Sequence, residues 1–69
     1  MNTYTVTDTF LVRDKKIVVL DRKLAVKDAG CSYISAEGQL FAFGLTHNEY
    51  WIIVDPAAPL ENKTITFTN

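Results

Sequence analysis

The sequence is poor in the residues that usually staple or punctuate a small domain. It has one cysteine, Cys31, so no internal disulfide can form and no oxidising compartment is implied. Its three glycines are isolated, which excludes a glycine-rich phosphate cradle. Its two prolines both fall within residues 55–59, leaving the rest of the chain free for extended pairing. One histidine and one cysteine cannot build a closed zinc shell, so neither metal nor cofactor is expected. The longest apolar run, residues 50–54, is far short of the roughly 20 residues of a membrane-spanning helix. No basic-then-apolar leader is visible, and the expected setting is reducing and cytoplasmic, away from the membrane. The Asn62-Lys63-Thr64 sequon reads as chance in that setting.

What is present is a core in the making. The 69 residues are 48% hydrophobic and include eight aromatics, which argues against disorder and for a single domain over residues 1–69. A domain this small buries only about 60% of the surface that its unfolded chain exposes. Ordering it costs on the order of 100 kcal/mol at about 1.5 kcal/mol per residue, so nearly all its apolar side chains are needed. The net charge of −1 conceals an asymmetry. Residues 1–27 carry +3 and residues 28–69 carry −4, a dipole that can present a basic patch to an anionic partner.

Alternation of period two dominates the chain. Residues 3–12 read as a strand with Tyr4, Val6, Phe10 and Val12 on one face and threonines on the other. Arg13-Asp14-Lys15-Lys16 is a polar turn, and residues 17–20 return from it, with Val12 expected opposite Ile17 and Phe10 opposite Val19. Residues 21–30 admit two forms. Asp21 can cap a short helix that ends at Gly30, with Leu24, Ala25 and Ala29 inward. The extended form, with Leu24 and Val26 inward, is preferred because two strong apolar positions in ten residues support a helix poorly. Residues 31–35 are a short strand followed by a turn at Ala36-Glu37-Gly38-Gln39. Residues 40–45 and 50–54 make the strongest hairpin, Asp55-Pro56 breaks it, and residues 64–68 form the last strand. The expected fold is all-β, a small five- to six-stranded antiparallel barrel or roll, with room for one short helical turn within residues 21–30.

Pairing Leu45 with Tyr50 places Phe41, Phe43, Leu45, Tyr50, Ile52 and Val54 on one face, which must be core. Leu40, Ala42, Gly44, Trp51 and Ile53 then share the other face, with Trp51 opposite Gly44. Trp51 there either shields a strand glycine or centres an apolar contact patch with Ile53 and Leu40. The basic residues Arg13, Lys15, Lys16, Arg22 and Lys23 form a second candidate, for phosphate contact, although no aromatics are interleaved to stack bases. Catalysis has little to build on. Cys31 and His47 are the only thiol–imidazole pair, and no sequence feature brings them together.

Tyr4, Val6, Asp8 and Phe10, then Val18-Val19, then Leu24-Ala25-Val26-Lys27-Asp28, resemble the second-domain β-barrel of translational GTPases of the elongation-factor type. The likeness covers residues 4–34 and implies a small β-barrel. The family's "GRG" turn is replaced by Arg13-Asp14-Lys15-Lys16, and Lys27 stands where it has a glycine before its aspartate. Its tRNA- and ribosome-contacting roles therefore do not carry over.

Two functions follow. The first is a non-enzymatic protein-binding or self-associating module, an inhibitor or accessory subunit of phage or mobile-element type, using the Trp51 face. The second is a nucleic-acid-binding barrel using the basic turn and residues 22–27. The threonines at alternate places in both terminal strands read as wet faces with good strand propensity. Their shared chemistry predicts that the two strands lie side by side in Thr–Thr pairs.

Overall fold

The protein was analysed as a computed structural model, which describes residues 3–69. Seven strands and one helical turn follow in the order β1 (Thr3–Val12), β2 (Lys15–Leu20), α1 (Val26–Ala29), β3 (Tyr33–Ala36), β4 (Gln39–Ala42), β5 (Gly44–Leu45), β6 (Trp51–Val54) and β7 (Thr64–Thr68). All pairings are antiparallel, in the order β4-β3-β7-β1-β2-β6-β5. The sheet rolls around one core without closing into a barrel. Its two edge strands, β4 and β5, are consecutive in the chain and separated only by Phe43. Phe43 packs edge-on against Phe67 at 5.0 Å, so the strand bends where it leaves one partner for another.

That bend corrects the expected 40–45/50–54 hairpin. Only Gly44 and Leu45 pair with β6, opposite Ile53 and Ile52, while Gln39–Ala42 pairs with β3. β6 ends at Val54, followed by Asp55-Pro56, and proline has no N–H to continue the ladder. The register is shifted by two residues from the expected one, which keeps each side chain on its face but moves its neighbour. Trp51 lies across from Val19, and Gly44 from Ile53. Trp51 therefore does not shield Gly44. A Cβ at Gly44 would meet the Ile53 side chain at 3.9 Å, an ordinary contact. Gly44→Ala is expected to leave the thermal midpoint unchanged or raise stability by up to about 1 kcal/mol.

β1 and β2 join through a two-residue loop, Arg13-Asp14, with Arg13 at φ 58°. Val12 pairs with Lys15 and Phe10 with Ile17, again two residues from the symmetric expectation. A bulge between Val6 and Asp8 has the larger consequence. An extra residue in one strand inverts which face its later side chains occupy. Tyr4 and Val6 point into the core at 1% exposure, whereas Phe10 and Val12 point outward at 38% and 47%. Thr9 is turned inward instead, and its hydroxyl donates to Glu61 Oε1 at 3.3 Å.

The core is built from Tyr4, Val6, Val18, Leu20, Ile34, Ile52, Val54, Ile65 and Phe67 of the strands, with Ala58 and Leu60 of the 55–63 loop closing one end. The terminal strands do lie side by side. Thr3 pairs with Thr66 and Thr5 with Thr64, and the hydroxyls of Thr3 and Thr66 are 3.4 Å apart. Among the described residues three turns use left-handed residues, at Arg13, at Glu37 with Gly38, and at Asn62. Glu37 (φ 49°) and Gly38 (φ 83°) make the β3–β4 turn, a pairing of positive angles that suits the twist of a two-residue hairpin.

Residues 21–30 take a mixed form. α1 is a single turn that, among the described residues, neither Asp21 nor any other side chain caps, and Gly30 is right-handed at φ −85°. Asp21 accepts the Thr5 amide at 3.2 Å instead. Leu24 packs on the core, but Val26 is 89% exposed, which corrects its expected inward position. The segment is pinned by Tyr4. Its hydroxyl donates to Asp28 Oδ2 at 2.8 Å and accepts from the Ala25 amide at 2.9 Å.

Candidate functional site

The bulge in β1 creates the surface of interest. By turning Phe10 and Val12 outward it adds them to Ile17, Val19, Trp51 and Ile53 on the outer face of β1, β2 and β6. The rows are in register: Asp8–Val19–Trp51, then Phe10–Ile17–Ile53, then Val12–Lys15. The Phe10 and Trp51 rings meet edge to face, 5.3 Å between centroids at 82°. Ile17 is covered by these neighbours, while Val19, Trp51 and Ile53 stay half-buried. The hydrophobic core lies on the other side of the same strands, through Val18, Ile52 and Val54. Trp51 and Ile53, expected on one face, lie together there with Phe10. Leu40, the third expected member, pairs with Ser35 on the outer face of the other half-sheet, 61% exposed among threonines. It is not part of the Trp51 surface.

Leu45 and Tyr50, expected in the core, are 54% and 46% exposed. Tyr50 belongs to the β5–β6 loop, where Thr46 and Asn48 carry the backbone turn. The Thr46 hydroxyl accepts the Asn48 amide at 3.1 Å, and Asn48 Oδ1 accepts that of Tyr50 at 2.8 Å. A groove of about 250 Å³ opens between this loop and α1, lined by Leu24, Val26, Leu45 and Trp51 among others. It extends the apolar surface past the end of β6.

The basic residues are dispersed and largely occupied. Lys16 is 7% exposed, because its odd-even position turns it inward from the turn. Its ammonium donates to the Ala58 carbonyl at 2.6 Å and to Glu61 Oε1 at 2.5 Å. Arg22 stacks on the Tyr4 ring at 4.3 Å, donates to the Thr3 carbonyl and pairs with Asp21 at 3.3 Å. Lys23 pairs with Glu49 at 3.3 Å. Arg13 and Lys15 make no ion pair among the described residues. The five residues do not share one cationic surface.

The hydrogen bond from Lys16 holds the Glu61 carboxyl below its ordinary pKa. A carboxyl with a lowered pKa in the folded state stabilises the fold above its unfolded pKa. That contribution disappears as pH falls through the folded value. Urea midpoints are therefore expected to fall between pH 7 and pH 3 by less in Glu61→Gln than in the parent. The half-exposed Glu61 side chain keeps the difference modest.

Cys31 follows α1 half-buried, and its sulfur lies 3.9 Å from the Lys27 carbonyl, while His47 is exposed in the β5–β6 loop. No hydrogen bond joins the two among the described residues. No group of three or more His, Cys, Asp or Glu side chains is placed to hold a metal ion among the described residues. No described helix is long and apolar enough to cross a membrane. In comparisons with known proteins, no family model matches the chain, and no curated protein or solved structure matches it.

Proposed function

We propose that the protein is a small non-enzymatic docking module, an inhibitor or accessory subunit, that binds a protein surface through the outer face of β1, β2 and β6. One observation supports this reading above the others. A contiguous row of apolar side chains, anchored by Trp51 against Phe10, stands outside the core on strands whose inner face is already filled. Contiguous exposed apolar surface on a small protein marks contact sites, and tryptophan is the side chain most enriched at their centres. The occupied basic residues give the nucleic-acid reading less support, since Lys16, Arg22 and Lys23 already have partners within the chain. The test is Trp51→Ala, assayed for association by sizing and for folding by circular dichroism. A folded variant that no longer associates supports the proposal. A variant that unfolds, together with an exposed-face variant such as Ile53→Lys that stays folded and associates as the parent does, overturns it.

A further inference from the structure

The same face carries charges that match its own image. Register puts Asp8 at one end, beside Val19 and Trp51, and Lys15 at the other, beside Val12. Both are exposed, and neither forms an ion pair among the described residues. Four strand residues, about 13 Å, separate the two ends. Between them lies the apolar middle, Phe10 and Ile17 flanked by Ile53.

We propose that the occupant of this face is a second copy of the chain, related by a two-fold axis through the Phe10–Ile17 row. This inference rests on the docking reading above. A two-fold contact is self-complementary, and an axis lying in the interface across the strands makes the two strips antiparallel, so one end of each strip meets the opposite end of the other. Here Asp8 of each copy faces Lys15 of the other, and the pair is made twice. The wide end of the strip, with Trp51, meets the narrow end, with Val12 and the aliphatic stem of Lys15. A two-fold axis along the strands, with the two strips parallel, would set Asp8 against Asp8 and Lys15 against Lys15. The charges thus select the antiparallel arrangement.

Size sets the concentration at which to look. A standard interface buries about 800 Å² per partner, close to a fifth of this chain's 4351 Å². The strip is partly self-covered, so the contact falls at the small end of the range and is read across micromolar concentrations.

The experiment is sedimentation equilibrium from about 1 µM to about 1 mM on the parent, Asp8→Lys, Lys15→Glu, the double variant, an equimolar mixture of the two single variants, and Ile53→Lys. Circular dichroism checks that each is folded. Each single change replaces two attractive pairs by two repulsive ones and is expected to weaken the dimer roughly tenfold. The double variant restores the pairing with charges exchanged, and the mixture forms a mixed dimer tighter than either variant alone. A parent that stays monomeric throughout overturns the second copy and leaves the docking reading standing. A dimer lost in Ile53→Lys but indifferent to the charge exchanges overturns the two-fold geometry. A dimer indifferent to both overturns the docking reading as well.

Discussion

Tyr4→Ala is expected to leave the chain largely unfolded at 25 °C, and Tyr4→Phe to lower its stability by about 1–3 kcal/mol. The ring is 1% exposed, lies edge-on to Phe67 at 5.2 Å, and carries Arg22 at 4.3 Å on its face. Removing such a ring costs about 3–5 kcal/mol. A chain of this length has only about 3–10 kcal/mol in total, so the truncation uses most of it. The phenylalanine variant isolates the hydroxyl, which serves both the buried Asp28 carboxylate and the Ala25 amide. Losing it takes one donor from Asp28 and the acceptor from Ala25, on the segment that holds α1 in place. Amides of α1 should exchange faster in Tyr4→Phe while those of β2 and β6 stay protected. An unchanged urea midpoint for Tyr4→Phe would contradict this role. Burial also raises the Tyr4 pKa. A raised pKa gives stability that is full below the ordinary tyrosine value and declines as pH rises past it. The phenylalanine variant is expected to lose that part of the alkaline decline.

The second large effect contrasts two adjacent residues of β6. Ile52 is fully buried and Trp51 is half-buried on the opposite side. Ile52→Ala is expected to cost about 2–5 kcal/mol. Trp51→Ala gives up its contact with Phe10 and some area, about 1–2 kcal/mol, because an aromatic pair contributes about 0.5–1.5 kcal/mol beyond burial. Association should respond in the opposite order. A tryptophan anchor at an interface costs about 2 kcal/mol or more when truncated, roughly thirtyfold in affinity. The larger residue is thus the smaller loss to the fold and the larger loss to binding. If Trp51→Ala destabilises the chain as much as Ile52→Ala, the face is core.

The alternation of the sequence carried the strands, the all-β class and the pairing of the two threonine-rich ends, because period two is a local property. It carried the inward rows at Phe41, Ile52, Val54, Ile65 and Phe67 for the same reason. The bulge at residues 6–8 escaped it, since it depends on how β1 divides between two partners, β7 and β2. Asp8, a charge within an apparently inward row, was the one sign that the row inverts there. The apolar surface follows from this inversion, which an unbroken alternation of Tyr4, Val6, Phe10 and Val12 on one face does not show. Leu40 was misplaced for a related reason. A strand apolar on both faces does not reveal that Asp55-Pro56 leaves its first half to seek β3. Ala58 and Leu60 have no periodicity at all, and their burial comes from a loop folding over the open end of the roll.

The most direct test of the account uses the chain's sole tryptophan. Trp51 sits in the proposed contact face, so quenching of its fluorescence by acrylamide reads the cover over that face. Ready quenching is expected in dilute solution, where the proposed dimer is dissociated. A several-fold fall in quenching is expected as concentration rises, with the fall moved to roughly tenfold higher concentration in Asp8→Lys. Weak quenching at every concentration, becoming strong only on unfolding, would show Trp51 to be core and contradict the docking face itself.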